Sequence, residues 1–191
     1  MAGVDVSCDF VSVAKRIADQ NGIGFLPAVG DLERLPYKDN SFDICFCGWV
    51  LHHFPDINPV VKELHRVLKP GGKIAFVEPN ESNLAMRLSR FVEDSLSKRV
   101  LKAGLDTPNR TKHSYRDYCK SLAQYQFISV KVGFCYPVIF PPSAFSTQKG
   151  GSKFLKIICY LRGILFSIAR KVLPQPLNGA DLLITGIKRE E

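Results

Sequence analysis

The sequence predicts an α/β protein in which helices cover a mostly parallel sheet. Three apolar runs carry that expectation, Phe25–Val29, Asp43–Val50 and Lys73–Glu78. Each is apolar on both faces instead of alternating, as strands buried between helices are. An amphipathic stretch of helical spacing separates the second run from the third, completing a strand–helix–strand unit. Ligands bind such sheets beyond the carboxyl ends of their strands. Asp31, the Gly48–Trp49 pair and Glu78 stand at three of these ends.

The remaining elements follow from spacing and caps. Residues 9–20 place Phe10, Val13, Ala14, Ile17 and Ala18 at helical intervals, with Ser7 or Asp9 available as the cap and Asn21-Gly22 as the stop. Asp56 can cap a helix carrying Ile57, Val60, Val61, Leu64, Val67 and Leu68, which Lys69-Pro70-Gly71-Gly72 would end. These two helices are expected to cover the sheet. Leu84, Leu88, Phe91, Val92 and Leu96 mark a helix over 84–101, and a short one is expected over Tyr115–Gln124. Phe127–Val132, reaching toward Tyr136, reads as a strand, and Ala180–Lys188 as the closing one.

With 191 residues, 46% of them hydrophobic, the chain is long enough to bury the core of one domain, and 1–191 is expected to be a single unit. Its net charge of +8 is unevenly placed: residues 1–80 carry −2 and residues 81–191 carry +10. The basic half suits an anionic substrate, an anionic membrane surface or simply a solvated face. No nucleic-acid-binding module or aromatic–basic repeat is present, so nucleic acid is not an expected partner. Six cysteines form no CxxC pair and no zinc-spaced Cys/His cluster, so no metal is expected. Cys45 and Cys47 are two apart on one strand and read as small buried groups. The amino end shows no secretory signal, and the expected compartment is the reducing cytoplasm, with peripheral contact to a membrane.

That contact would come from Ser152–Leu173. Residues set ~100° apart place Lys153, Lys156, Arg170 and Lys171 on one side, and Phe154, Leu161, Leu165 and Ile168 on the other. The helix is too charged to span a bilayer. It can lie in a membrane interface, cover an apolar substrate cleft, or pack on the sheet.

Five linked runs in order carry a resemblance: GVDVS at Gly3–Ser7, GD-x-x-x-LP at Gly30–Pro36, DNSFD at Asp39–Asp43, VLHHF at Val50–Phe54 and LKPGG at Leu68–Gly72. They resemble the class I S-adenosylmethionine-dependent methyltransferases, in particular the type 11 family, whose members methylate quinones, sterols and other small molecules. The resemblance spans residues 3–80, the cofactor side, and leaves 81–191 as the substrate side. It implies a doubly wound Rossmann-like methyltransferase fold, S-adenosylmethionine as cofactor, and methyl transfer to a small-molecule or lipid-like acceptor. In that family a strand and a glycine-rich turn precede the GVDVS run, whereas here Met1-Ala2 stand directly before Gly3. The expectation is therefore a truncated chain lacking the first strand and glycine-rich loop. It would be impaired in activity, with a gap between the GVDV and DICFCG strands.

By the same resemblance Asp5 accepts from the ribose hydroxyls and Val6 packs on the adenine. Asp31 accepts from the adenine amino group, the Leu32 amide serves the ring nitrogen, and Gly48 and Trp49 line the methionine end. Asp31 as a turn cap and Trp49 as a core residue are the plain alternatives. No catalytic residue is assigned. His52 and His53 could act as a base, although the family's histidine pair points to a structural or pocket role, and Glu78 could contact substrate from the same cleft. His113, Tyr115 and Arg116 could meet the acceptor or lie on the surface. A non-catalytic methyltransferase-like scaffold remains the alternative function. A nicotinamide-dependent dehydrogenase also suits Asp5 but not the GD-x-x-x-LP and LKPGG runs. Oligomeric state is unspecified by the sequence.

The amphipathic segment yields a direct test. If it meets anionic lipid, replacing Lys156, Arg170 and Lys171 with Gln removes roughly 1 kcal/mol of attraction for each residue. The triple variant should then be released from anionic vesicles in co-sedimentation while remaining folded. Equal partitioning of variant and wild type, or no binding by either, rejects the membrane role.

Overall fold

The computed structural model describes residues 1–81, 83, 111–135 and 181–190. The first strand, β1 (Ala2–Asp5), pairs in parallel with β2 (Leu26–Val29), Ala2 opposite Leu26 and Asp5 opposite Val29. Helix α1 (Cys8–Gln20) connects them. Ser7 caps it by accepting the Phe10 amide on its hydroxyl, and Asp9 places a carboxylate in the positive first turn. The chain leaves the helix through Gly22 at φ 66°, a left-handed conformation open to glycine.

The second sheet contains β3 (Phe42–Gly48), β4 (Leu68–Pro79), β5 (Phe127–Cys135) and β6 (Asp181–Lys188), in the order β3-β4-β6-β5. β3 and β4 run parallel, whereas β6 is antiparallel to both of its neighbours, so the sheet is mixed. Helix α2 (Asn58–Val67) crosses from β3 to β4 and buries Val60, Val61, Leu64 and Val67, one stripe of its surface. Ile57, not Asp56, occupies its cap position, but the Asp56 carboxylate accepts the Asn58 amide at 2.9 Å. Helix α3 (Tyr115–Gln124) is closed at its start by a reciprocal pair. Ser114 accepts from the backbone at Asp117, and the Asp117 carboxylate accepts the Ser114 amide at 2.7 Å. Those bonds hold the Asp117 carboxyl below its ordinary range.

The LKPGG run is not a simple helix stop. Leu68 faces Phe42 across the ladder, but Ile44 already faces Lys73, so Lys69–Gly72 are looped out of the parallel pairing. Gly71 sits at φ 74°, and a Cβ on Gly72 would lie 2.7 Å from the Lys69 carbonyl oxygen. Both positions need glycine for the bulge to form.

The core lies between the second sheet and α2 and α3. Leu51, Val60, Val61, Val67, Leu68, Phe76, Leu122 and Ile184 are all 0% exposed. α1 departs from expectation, because only Ala18 is buried while Phe10, Val13 and Ile17 are exposed. The β1–β2 pair is two strands wide, and Val11, Ala14 and Ala18 suffice to meet it. β3 departs similarly: Cys47 is buried and Cys45 half-buried, but Ile44 and Phe46, on the other face, are each 65% exposed. β1 pairs with β2 and β3 with β4, and among the described residues no ladder joins the two sheets. The helix expected over 84–101 and the amphipathic segment 152–173 lie outside the described residues.

Polar side chains fasten the ends of the second sheet. The Lys188 Nζ, on a side chain 7% exposed, donates to Asn40 Oδ1 and to the carbonyls of His65 and Leu68 at 2.8–3.0 Å. Arg66 donates to the Tyr37 and Leu35 carbonyls and to the carboxylates of Glu63 and Asp39. Lys188→Met keeps the stem and removes all three donors, leaving their acceptors unsatisfied. A loss of about 1–3 kcal/mol in unfolding free energy is expected, read from urea midpoints. An unchanged midpoint would show that water replaces the ammonium.

Candidate functional site

Parallel pairing brings Asp5 and Asp31 to one edge. Asp5 ends β1, and its carbonyl accepts the Gly30 amide at 3.1 Å, so Asp31 emerges directly beside it. Each carboxylate is turned by its own loop. Asp5 Oδ1 accepts the Ser7 amide at 2.8 Å, and Asp31 Oδ1 accepts the Glu33 amide at 3.0 Å. Both side chains are exposed, and in each the second oxygen holds no hydrogen bond among the described residues. Val6 beside them is 76% exposed, an apolar surface open to a planar group, while Leu32 is half-buried against the core. Asp31 is thus a turn-capping residue whose second oxygen faces no donor among the described residues.

The end of β3 is built around Glu78. The sequence placed this residue in the cleft as a substrate contact; it is instead 0% exposed. Its Oε1 accepts the amides of Val50 and Leu51 at 2.8 Å each, and its Oε2 accepts the His52 amide at 3.3 Å and the His52 ring at 2.8 Å. A buried carboxylate is tolerable when its lone pairs are filled in this way. Because a carboxylate only accepts, His52 donates from Nδ1. His52 is buried, and its carbonyl accepts the Thr111 amide at 2.8 Å, so His52 belongs to the scaffold of the site. His53 packs its ring 4.1 Å from that of His52. His113, a candidate for acceptor contact, is buried, with Nε2 2.8 Å from the Phe54 carbonyl. Arg116 is exposed over the ring of Tyr115.

With the turn secured from beneath, Trp49 is pushed outward. Its φ is 51°, its amide donates to the Val77 carbonyl at 2.7 Å, and its ring is 57% exposed, so it is not a core tryptophan. The indole Nε1 donates to Asp181 Oδ1 at 3.3 Å. The Gly48 backbone precedes it, half-buried, with the Phe46 ring lying where a Cβ would project. Sequence reasoning missed Asp181, whose signal is one acid opening the apolar run Asp181–Ile187. Burial holds the Asp181 carboxyl above its ordinary range, the Trp49 bond works against that, and the charge of Glu78 adds to it.

Among the described residues no cluster of His, Cys, Asp and Glu has the form of a metal site. Burial pushes the Cys45 and Cys47 thiols up to about 11 and about 12, so neither is a nucleophile at neutral pH. Concavities of about 500 and 340 Å³ lie elsewhere, along α1 and around Arg66. The first is lined by Val11, Pro27 and the charges of Lys15, Arg16 and Asp19, the second by the paired side chains of Glu63, Arg66 and Lys188, and neither adjoins the carboxyl ends of β1, β2 and β3.

Removing the central carboxylate tests this construction. Glu78→Ala leaves the Val50–His52 donors buried and unpaired, and a destabilisation of about 3–5 kcal/mol is expected in denaturant unfolding. Glu78→Gln, which keeps the shape and one acceptor oxygen, should cost less. A Glu78→Ala variant as stable as wild type would refute the role assigned to this residue.

A family model described as a methyltransferase domain of the type 11 group matches residues 1–76. Demethylmenaquinone methyltransferase of Oceanobacillus iheyensis is 37% identical over 83 residues, covering 43% of this chain and 35% of that protein. YcgJ of Bacillus subtilis, named an uncharacterized methyltransferase, is 39% identical over 77 residues, 40% of this chain and 30% of that protein. The crystal structure of YcgJ aligns with a TM-score of 0.57 at 24% identity, covering 100% of this chain and 82% of the other. A Haemonchus contortus phosphoethanolamine N-methyltransferase, solved with S-adenosylhomocysteine and phosphomonomethylethanolamine, aligns with a TM-score of 0.68 at 18% identity, covering 99% and 44%. These sequence matches span about a third of the curated relatives' length. Residues 1–76 thus match a methyltransferase-domain model, and the fold is one shared with solved methyltransferases.

Proposed function

We propose that the protein binds S-adenosylmethionine across the carboxyl ends of β1, β2 and β3 and serves methyl transfer to a small-molecule or lipid-like acceptor. The observation that carries this reading is the pair of exposed carboxylates, Asp5 and Asp31. Each is oriented by one backbone amide and each holds an oxygen available to a ligand. That acceptor pair fits the cofactor, whose ribose diol and adenine amino group both need acceptors. Asp5 takes the ribose hydroxyls, Asp31 the amino group, and the Leu32 amide a ring nitrogen, while Val6 covers the adenine face. When bound, S-adenosylmethionine supplies a methyl group already activated on a sulfonium.

The protein's part in such a reaction is alignment and exclusion of water. Gly48 lets the backbone approach, and Trp49 offers an aromatic face, which attracts a cationic centre. His52 is committed to Glu78, and no base is assigned to it. Among the described residues no glycine-rich turn stands beside β3, and weak cofactor affinity is part of this reading. A lipid-like acceptor agrees with the relative named demethylmenaquinone methyltransferase. A cytoplasmic location, peripheral at a membrane through residues 152–173 and without nucleic acid as partner, completes the proposal.

A second reading, a non-catalytic methyltransferase-like scaffold, is favoured by one feature. Ile44 and Phe46 lie exposed on β3, a strand paired along one edge among the described residues. Equilibrium dialysis against labelled S-adenosylhomocysteine separates the two. Wild type should bind, Asp31→Ala should lose about 1–3 kcal/mol, and His53→Ala should lose less. Failure of wild type to bind, or a larger loss from the histidine change, would overturn the cofactor assignment for this chain.

A further inference from the structure

The least explained residue near the site is Asp181. It opens β6, where its register partners are Pro79 on β4 and Cys135 on β5, and the strand after it runs Leu182, Leu183, Ile184. A half-buried carboxylate there has no cation against it among the described residues. Its hydrogen bond among those residues comes from the indole of Trp49, 132 positions away in sequence. Among the described residues an acid kept near the buried Glu78 has no counter-charge, a cost to stability that calls for a compensating role.

Trp49 shows what that role is. Its backbone is held in the left-handed region at φ 51°, where a bulky residue is rarely found, by the bond from its amide to Val77. That bond fixes the Cα but leaves the ring free to turn about its own side-chain torsions. A ring 57% exposed has little packing to hold it. The Asp181 carboxylate supplies the missing restraint, because an indole has one donor and its direction sets the ring plane.

We propose that Asp181 is a positioning residue that fixes the indole of Trp49 as a rigid wall at the carboxyl end of β3, so that the closing strand sets the aromatic face offered to a bound sulfonium ligand. The part of this proposal that concerns ligand rests on the function proposed above. The part that concerns the ring does not. Strand β6 thereby reaches two features of the same site. Leu182 is registered with Glu78, which holds the Val50–His52 turn, and Asp181 holds the residue just before that turn.

Trp49 is the chain's one tryptophan, so its spectroscopy reports this contact without interference. In the 191-residue protein the indole N–H should give one resonance protected from solvent exchange. Asp181→Ala should increase the population of misoriented rings by roughly tenfold, the equivalent of one lost charge-assisted hydrogen bond. This is read as faster indole exchange, lower fluorescence anisotropy and greater acrylamide quenching. Asp181→Asn retains an acceptor oxygen and should restore wild-type values. A merely structural Asp181 would shift the unfolding midpoint but leave the folded-state indole signals unchanged, and that result overturns the proposal. So does an unprotected indole in wild type, a measurement that stands even if the alanine variant does not fold. In a parallel titration with S-adenosylhomocysteine, Asp181→Ala should weaken binding by about tenfold and Asp181→Asn should not. If wild type binds no ligand, the cofactor reading fails, while the exchange and anisotropy data still decide the positioning role.

Discussion

The site depends on the carboxylate of Glu78. Three consecutive amides at the start of a turn have no partners within that turn, and a chain leaving a buried strand cannot send them to water. One acid on the neighbouring strand takes all three and also the imidazole that follows. The bond network ties β3 to β4 where ligands meet such sheets, and it determines which side chains turn inward. Leu51 and His52 go into the core, and Trp49, one residue before the network, goes out. The two histidines that invite a catalytic assignment are thus explained first by the fold. His52 fills the last lone pair of a buried acid, and His53 stacks against it.

Much of this architecture was legible in the sequence because its signals are local. Ser7 before an amphipathic run, the apolar stripe of Val60, Val61, Leu64 and Val67, and the boundaries Tyr115–Gln124 all correspond to observed elements. The motif resemblance points to Asp5 and Asp31, and the parallel pairing of β1 with β2 places both at the same end of that pair. Glu78 was placed at the correct strand end but on the wrong side of the protein surface. An acid after Phe76-Val77 reads as emerging from the strand. Nothing local reveals that three amides twenty-six to twenty-eight residues earlier need an acceptor. The bulge at Lys69–Gly72 was hidden for the opposite reason, since its Pro-Gly-Gly signal is so strong that it reads as a plain stop.

The exposed apolar residues mark the other limit of sequence reasoning. Periodicity states that Phe10, Val13 and Ile17 share a helical face and that Ile44 and Phe46 share a strand face; it does not state what covers them. In this structure α1 meets a sheet of two strands and turns its Val11–Ala14–Ala18 stripe toward it, leaving the larger residues in solvent. β3 likewise buries the small Cys47 and presents the large Phe46 outward. The residues that carry the candidate chemistry escape this ambiguity because they are fixed by hydrogen bonds, whose partners are specific.

The placement of Asp181 follows from the antiparallel closing strand. A parallel strand in that position would present its carboxyl end to the site, as β3 and β4 do. By running the other way β6 brings its first residue there, so the chain re-enters the sheet at the site and leaves it at the opposite end, where Lys188 is pinned by Asn40, His65 and Leu68. The two ends of one strand therefore serve different purposes. Its last residue locks the base of the sheet through a cation and three fixed acceptors, while its first holds a single aromatic ring through one acceptor. That asymmetry lets one strand end in a cation pinned by three acceptors at the base and in an acid bonded to the indole of Trp49 at the site.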